Sequence, residues 1–292
     1  MSHASRLVLA FAAALSLGAC ATATAPNESA APYAAIEPVP IPRLLEAADN
    51  LLAREQYKSA LRFYVQVLDR EPDNAAARLG VAESYLGLGA APAAEAAFAA
   101  IEDVPAFAAR ARQGKGLAAL RQGDHARAGT LLRDALARDD TLWRAHLGLA
   151  RILDGEARWR EAAAAYARAA ELNPDAAAIH NNWGMSLLAQ GDYAGAEAKF
   201  ARALELAPDL EAARNNYRFA IALQGRYREA FAGASDRDLP AVLNNVGYAA
   251  MMRGDKDRAR SYFARALEAS PHFLAVAHEN LQLAKGQGEP ND

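Results

Sequence analysis

A period of thirty-four residues restricts this chain more than any other feature. The stretch Ala177 to Leu210 contains NNWGMSLLAQGDYAGAEAKFARALELAPDL. In it Trp183-Gly184 is followed by Gly191, Tyr193, Ala196, Phe200, Ala203 and Pro208. Residues 240–273 repeat that order with Val246-Gly247, Gly254, Ala259, Phe263, Ala266 and Pro271. The frame extends backwards: 41–74 carries Tyr57, Ala60, Tyr64 and Pro72, 75–108 carries Ala82, Tyr85, Gly89, Ala94 and Phe98, and 109–142 carries Gly116, Gly123, Ala128, Leu132 and Ala135. A fourth unit, 141–176, has Gly148, Trp159, Ala162, Tyr166, Ala169 and Pro174, and is read with two extra residues near Asp154–Arg158. The sixth, 211–239, has Gly225, Tyr227 and Ala230 but is short, its second helix cut down around FAGASDRDLP. Residues 274–285 read as a capping helix and 286–292 as a disordered tail. No alternating strand pattern interrupts the helical one.

This spacing is similar to the tetratricopeptide pattern of two antiparallel helices per repeat. The resemblance implies an all-α, right-handed superhelical solenoid of about seven helix pairs plus a C-terminal capping helix. Each recurring residue has a mechanical reason. Ala196 and Ala259 sit where the second helix crosses the first, and a larger side chain would force the two apart. Gly184 and Gly247 permit close approach. Tyr166, Phe200 and Phe263 fill the seam to the next repeat. One repeat cannot bury these faces alone, so stacking creates a continuous core and a concave side.

The first residues read differently. Arg6 precedes an apolar run from Leu7 to Leu17, too short for a comfortable bilayer span. The run ends in Leu17-Gly18-Ala19-Cys20, and Cys20 is the one cysteine of 292 residues. LGAC resembles the lipobox of bacterial lipoproteins. The resemblance implies cleavage of a signal peptide (1–19), acylation of Cys20 as the sole covalent group, and anchoring at the periplasmic face of the outer membrane, since Ala21 rather than Asp follows. Ala, Thr, Pro and Ser dominate the next stretch, so 20–40 reads as the lipidated cysteine and an extended tether.

First helices are expected to line the concave face, where side chains three or four apart share one surface. In three consecutive units that surface carries Asn181, Met185 and Leu188, then Asn215, Phe219 and Ala222, then Asn244, Tyr248 and Met251. Asn182, Asn216 and Asn245 lie beside them. In tetratricopeptide proteins asparagines at this level commonly bond the backbone of an extended peptide, because an amide both donates and accepts. Asn182, Asn216 and Asn245 can equally bond the neighbouring helix and stabilise the stack. Met, Phe and Tyr add apolar contact in either arrangement.

Formal charge is −3, from 32 basic and 35 acidic residues, which disfavours a nucleic-acid binder driven by phosphate neutralisation. The histidines lack zinc-helix spacing, and RQGKG at 112–116 is no phosphate loop. No catalytic constellation, metal site, cofactor or small-molecule substrate is expected. Residues 181–284, with their paired asparagines, IALQG at 221–225, shortened sixth unit and LNNVGYAAMMRGD at 243–255, look like the TadD family of lipoproteins encoded with the Flp pilus machinery. That resemblance implies a protein partner among pilus or secretin assembly components. The type IV pilus pilotins, also lipoproteins with such repeats, are the second resemblance.

Overall fold

The computed structural model describes residues 39–269 and 274–286. Seven helix pairs follow one another: α1 (Ile41–Ala53) with α2 (Tyr57–Arg70), α3 (Ala75–Gly87) with α4 (Ala91–Ala99), α5 (Ala108–Arg121) with α6 (His125–Arg138), α7 (Trp143–Gly155) with α8 (Trp159–Leu172), α9 (Ala177–Ala189) with α10 (Tyr193–Leu206), α11 (Glu211–Leu223) with α12 (Tyr227–Ala230), and α13 (Leu239–Met252) with α14 (Lys256–Ala269). A last helix, α15 (Leu274–Lys285), packs on α14 and α13. There is no strand among the described residues. The expected all-α solenoid of seven pairs and a terminal helix is what the described residues form. No helix of the described residues is long and apolar enough to cross a membrane. Cys20, the leader, most of the tether, Pro271 and residues 287–292 lie outside the described residues.

A three-residue turn joins the helices of each pair, and its middle residue has positive φ. These residues are Glu55, Gly89, Gly123, Ala157, Gly191, Gly225 and Gly254. The first six recur every 34 residues, so the two extra residues expected near Asp154–Arg158 are not there. The glycine signal is displaced at this turn. Gly155 ends α7, while Ala157 takes the left-handed conformation with φ 55°. The true irregularity is the shorter step from Gly225 to Gly254, where α12 is cut to four residues.

The core sits between the two helix layers. Ala60, Ala94, Ala128, Ala162, Ala196, Ala230 and Ala259 are completely buried at the crossings. Tyr64, Phe98, Leu132, Tyr166, Phe200 and Phe263 fill the seams, each at most 1% exposed. A Cβ on Gly184 would lie 2.6 Å from the Phe200 ring, and one on Gly247 2.7 Å from Phe263. The glycines are therefore required by the rings, and replacing such a buried ring by alanine costs about 3–5 kcal/mol. Consecutive first helices also touch one another from α1 through α15, whereas no comparable contact joins consecutive second helices. The first helices therefore form the inner, concave surface.

Candidate protein-interaction groove

Helical spacing places Ala178, Asn181, Asn182 and Met185 on one face of α9. The same register puts Ala212, Asn215, Asn216 and Phe219 on α11, and Ala241, Asn244, Asn245 and Tyr248 on α13. Met185 is 45% and Tyr248 42% exposed, and half-buried Phe219 stacks on Tyr248 with ring centroids 6.3 Å apart. The row runs on to α15 through Leu283, also 42% exposed. Small residues back it: Ala178, Ala212 and Ala241, then exposed Val276. Leu188 and Met251, expected on the groove, are half-buried and pack against the core, and Ala222 is completely buried.

The asparagines divide. Asn216 Nδ2 donates to Asn181 Oδ1 at 3.1 Å, and Asn280 Nδ2 donates to Asn244 Oδ1 at 3.0 Å. These bonds tie α9 to α11 and α13 to α15. Asn182 Nδ2 donates to the Ala178 carbonyl of its own helix at 2.8 Å. Asn215 and Asn245 are half-buried and make no side-chain hydrogen bond to another described residue. Asn181 and Asn244 spend their carbonyl oxygens on the stack, so their amide N–H groups are what they retain for a ligand.

The sequence reading missed two parts of this surface. One is α15, read as a plain cap although it continues both the apolar row and the asparagine bridge. Its signal was a one-residue offset in the period before it. The other is the middle of the solenoid. A cavity of about 280 Å³ there is lined by Leu117, Leu120, Arg121, Trp143, Arg144 and Arg151, together with residues of α3 and α9. Arg121 is committed to the Leu86 carbonyl. Arg144 pairs at 2.7 Å with Glu83, which is only 7% exposed and lies 3.6 Å from Arg110. The concave face is thus ionic over α3, α5 and α7 and apolar with amides over α9, α11, α13 and α15.

Behind the groove, buried bonds fix the helices. Asp154 accepts from Tyr166 Oη at 2.7 Å and from Ser186 Oγ at 2.6 Å. Burial, then the bond to Asp154, push the Tyr166 phenol well above its ordinary pKa, so it stays a donor. Trp183 stacks on Tyr166 and lies under Lys199 Nζ, 3.4 Å from the ring centroid. Glu197 is half-buried and accepts from Arg226 Nη1 at 2.6 Å and Gln224 Nε2 at 2.7 Å, linking α10 to the next turn. No group of three or more potential metal ligands occurs among the described residues.

Comparison with known proteins agrees with this architecture. Patterns described as tetratricopeptide repeat match residues 92–142 and 147–211, residues 51–115, and residues 240–273. No curated protein matches the chain. Among solved structures, TTC0263, a thermophilic TPR protein of Thermus thermophilus, is similar at TM-score 0.55 and 21% identity, over 62% of this chain and 99% of that one. A chain of the APC/C hetero-tetramer Cut9-Hcn1 is similar at TM-score 0.57 and 18% identity, over 82% of this chain and 48% of that one. This chain spans about half of the latter's length. Pseudomonas aeruginosa pilF superposes more loosely, at TM-score 0.44 and 22% identity over 63% of this chain and 91% of that one.

Proposed function

Because this chain belongs to the tetratricopeptide repeat family, we propose that it is a non-catalytic adaptor that holds a segment of a partner protein along α9, α11, α13 and α15. One observation carries the reading: Met185, Phe219, Tyr248 and Leu283 stand in register on four adjacent inner helices, with three of them more than 40% exposed. Large apolar side chains left half in water at every step of one face are a surface built to be covered. An amphipathic helix or an extended strand of a partner can lay apolar side chains on that row, while Asn215 and Asn245 hold its polar groups.

The partner belongs to a Flp-type pilus or secretin assembly, and the protein is anchored to the outer membrane through acylated Cys20. The support for both is the sequence: the lipobox-like LGAC, and the likeness of residues 181–284 to TadD lipoproteins. Capture from native envelopes tests the groove. Met185→Glu and Tyr248→Glu, each still folded, are expected to reduce recovery of a pilus or secretin component at least about tenfold, because a carboxylate buried against apolar surface without a partner costs several kcal/mol. Full recovery by both variants contradicts the reading. Mass spectrometry of the mature N-terminus tests the anchor: a diacylglyceryl-modified Cys20 is expected, and Cys20→Ser releases the protein from the membrane fraction. An unmodified Cys20 contradicts it.

A further inference from the structure

The truncated sixth pair leaves a gap with a charge in it. In complete pairs a glycine or alanine of the first helix stands in register against a bulky side chain of the second, as Gly184 faces Phe200, Gly247 faces Phe263 and Ala150 clusters with Tyr166. In α11 the corresponding residue is Arg218, and α12 stops at Ala230 before any such ring is supplied. The Arg218 side chain turns toward that space. It is 6% exposed, and its Nη2 donates to the Ala232 carbonyl at a long 3.4 Å. No carboxylate among the described residues lies within 4.0 Å of this guanidinium, whereas Glu83, the one other buried charged residue among those described, is paired with Arg144. Beside it is a cavity of about 440 Å³ with apolar walls from Leu204, Tyr217, Ile221, Ala232 and Gly233. Its two other charged residues are engaged: Arg214 donates to the Pro208 carbonyl at 2.7 Å, and Glu229 is held by Arg226.

We infer that this cavity receives a carboxylate carried on an apolar residue of a partner protein, with the Arg218 guanidinium as its fork-shaped receptor. A buried guanidinium has several donors and is stabilised by an anion that takes two of them side by side. The apolar walls and the size of the cavity select a carboxylate with a hydrocarbon group attached over a bare inorganic anion. Burial lowers the Arg218 pKa, against the pull of Asp238 and with the help of Arg214, as expected where a cation lacks a close counter-charge. The site is formed by the break in the repeat and is independent of the groove, so it is a second point of contact for a partner.

Titration of the full chain with N-acetyl-leucine, followed by the Arg218 Nε–H resonance and by calorimetry, tests this. Saturable binding is expected, with N-acetyl-leucinamide and inorganic phosphate at least about tenfold weaker at equal ionic strength. Arg218→Gln should weaken binding of N-acetyl-leucine at least about tenfold. Ala232→Trp, which fills the cavity from an exposed position, should do the same, and decides the matter alone if the arginine variant does not fold. Met185→Glu in the groove should leave this binding unchanged, which separates it from the reading above. Equal binding of the amide, or undiminished binding by Ala232→Trp, overturns the proposal. Phosphate binding as tight as N-acetyl-leucine makes it a bare anion site and overturns the partner assignment. Absence of binding means that Asp238 already satisfies the guanidinium, and also overturns it.

Discussion

Ala157 has a left-handed backbone, φ 55°, at a turn position that five other pairs fill with glycine. A Cβ in that conformation costs about 1–2 kcal/mol. Ala157→Gly is therefore expected to stabilise the protein by about 1 kcal/mol, and Gly191→Ala to destabilise it by a similar amount, both measurable by denaturant melts. His180 is a second residue with a readable cost. Its Nδ1 is buried without a hydrogen-bond partner. Burial lowers its pKa below 6.5, helped by Lys199 and Arg202 and opposed by the Pro174 carbonyl and Glu205. The unfolded chain then binds more protons between the lowered folded value and about 6.5. Stability contributed by neutral His180 is present above about pH 6.5, declines as pH falls below it, and levels off beneath the folded pKa. Melting temperatures of wild type and His180→Gln at pH 7.5 and 5.0 check this, with the variant losing less on acidification. His146 occupies the equivalent place one repeat earlier and meets the Asp140 carbonyl at 3.0 Å, where Arg78 and Arg214 reach the corresponding proline carbonyls.

Second helices are held by two kinds of contact, and the sequence distinguished only one. The buried alanine at each crossing follows from the repeat itself. Ala196→Trp is expected to cost about 1–3 kcal/mol or more through overpacking. Glu197 is no neutral control for it, because its carboxylate binds Arg226 and Gln224. Ala198→Trp, at an exposed position on the same helix, serves instead and should shift the melt little. Equal losses from the two variants would place the crossing elsewhere. The helix layers and the cut-down α12 were legible because small and aromatic residues recur at fixed spacing. The ties between repeats were not. The bonds of Glu197 to Arg226, Asn181 to Asn216 and Asn244 to Asn280 join residues about thirty or more positions apart, and their geometry depends on how the stack closes. The fourth turn was misread because Gly155 imitates the glycine that Ala157 replaces.

At the scale of the solenoid, one surface changes character along its length. Over α3, α5 and α7 it is tied by ion pairs around the buried Glu83 carboxylate. Over α9 to α15 it presents the Met185, Phe219, Tyr248 and Leu283 row, edged by asparagine amides. The first three residues of that row were visible in the sequence as a repeat. Leu283 was not, because α15 was read as a lid over the core rather than as a further inner helix. The ionic half has most of its charge satisfied internally, so a partner gains little there. The apolar half has unsatisfied surface, and covering it is where association gains free energy. Photo-crosslinking in native cells tests this most directly, with a photoreactive phenylalanine analogue at Tyr248, at Leu283 and, on the outer surface, at Ala198. The account predicts one shared partner adduct from positions 248 and 283 and none from 198. An adduct formed from 198 alone would contradict it and move the binding surface to the second helices.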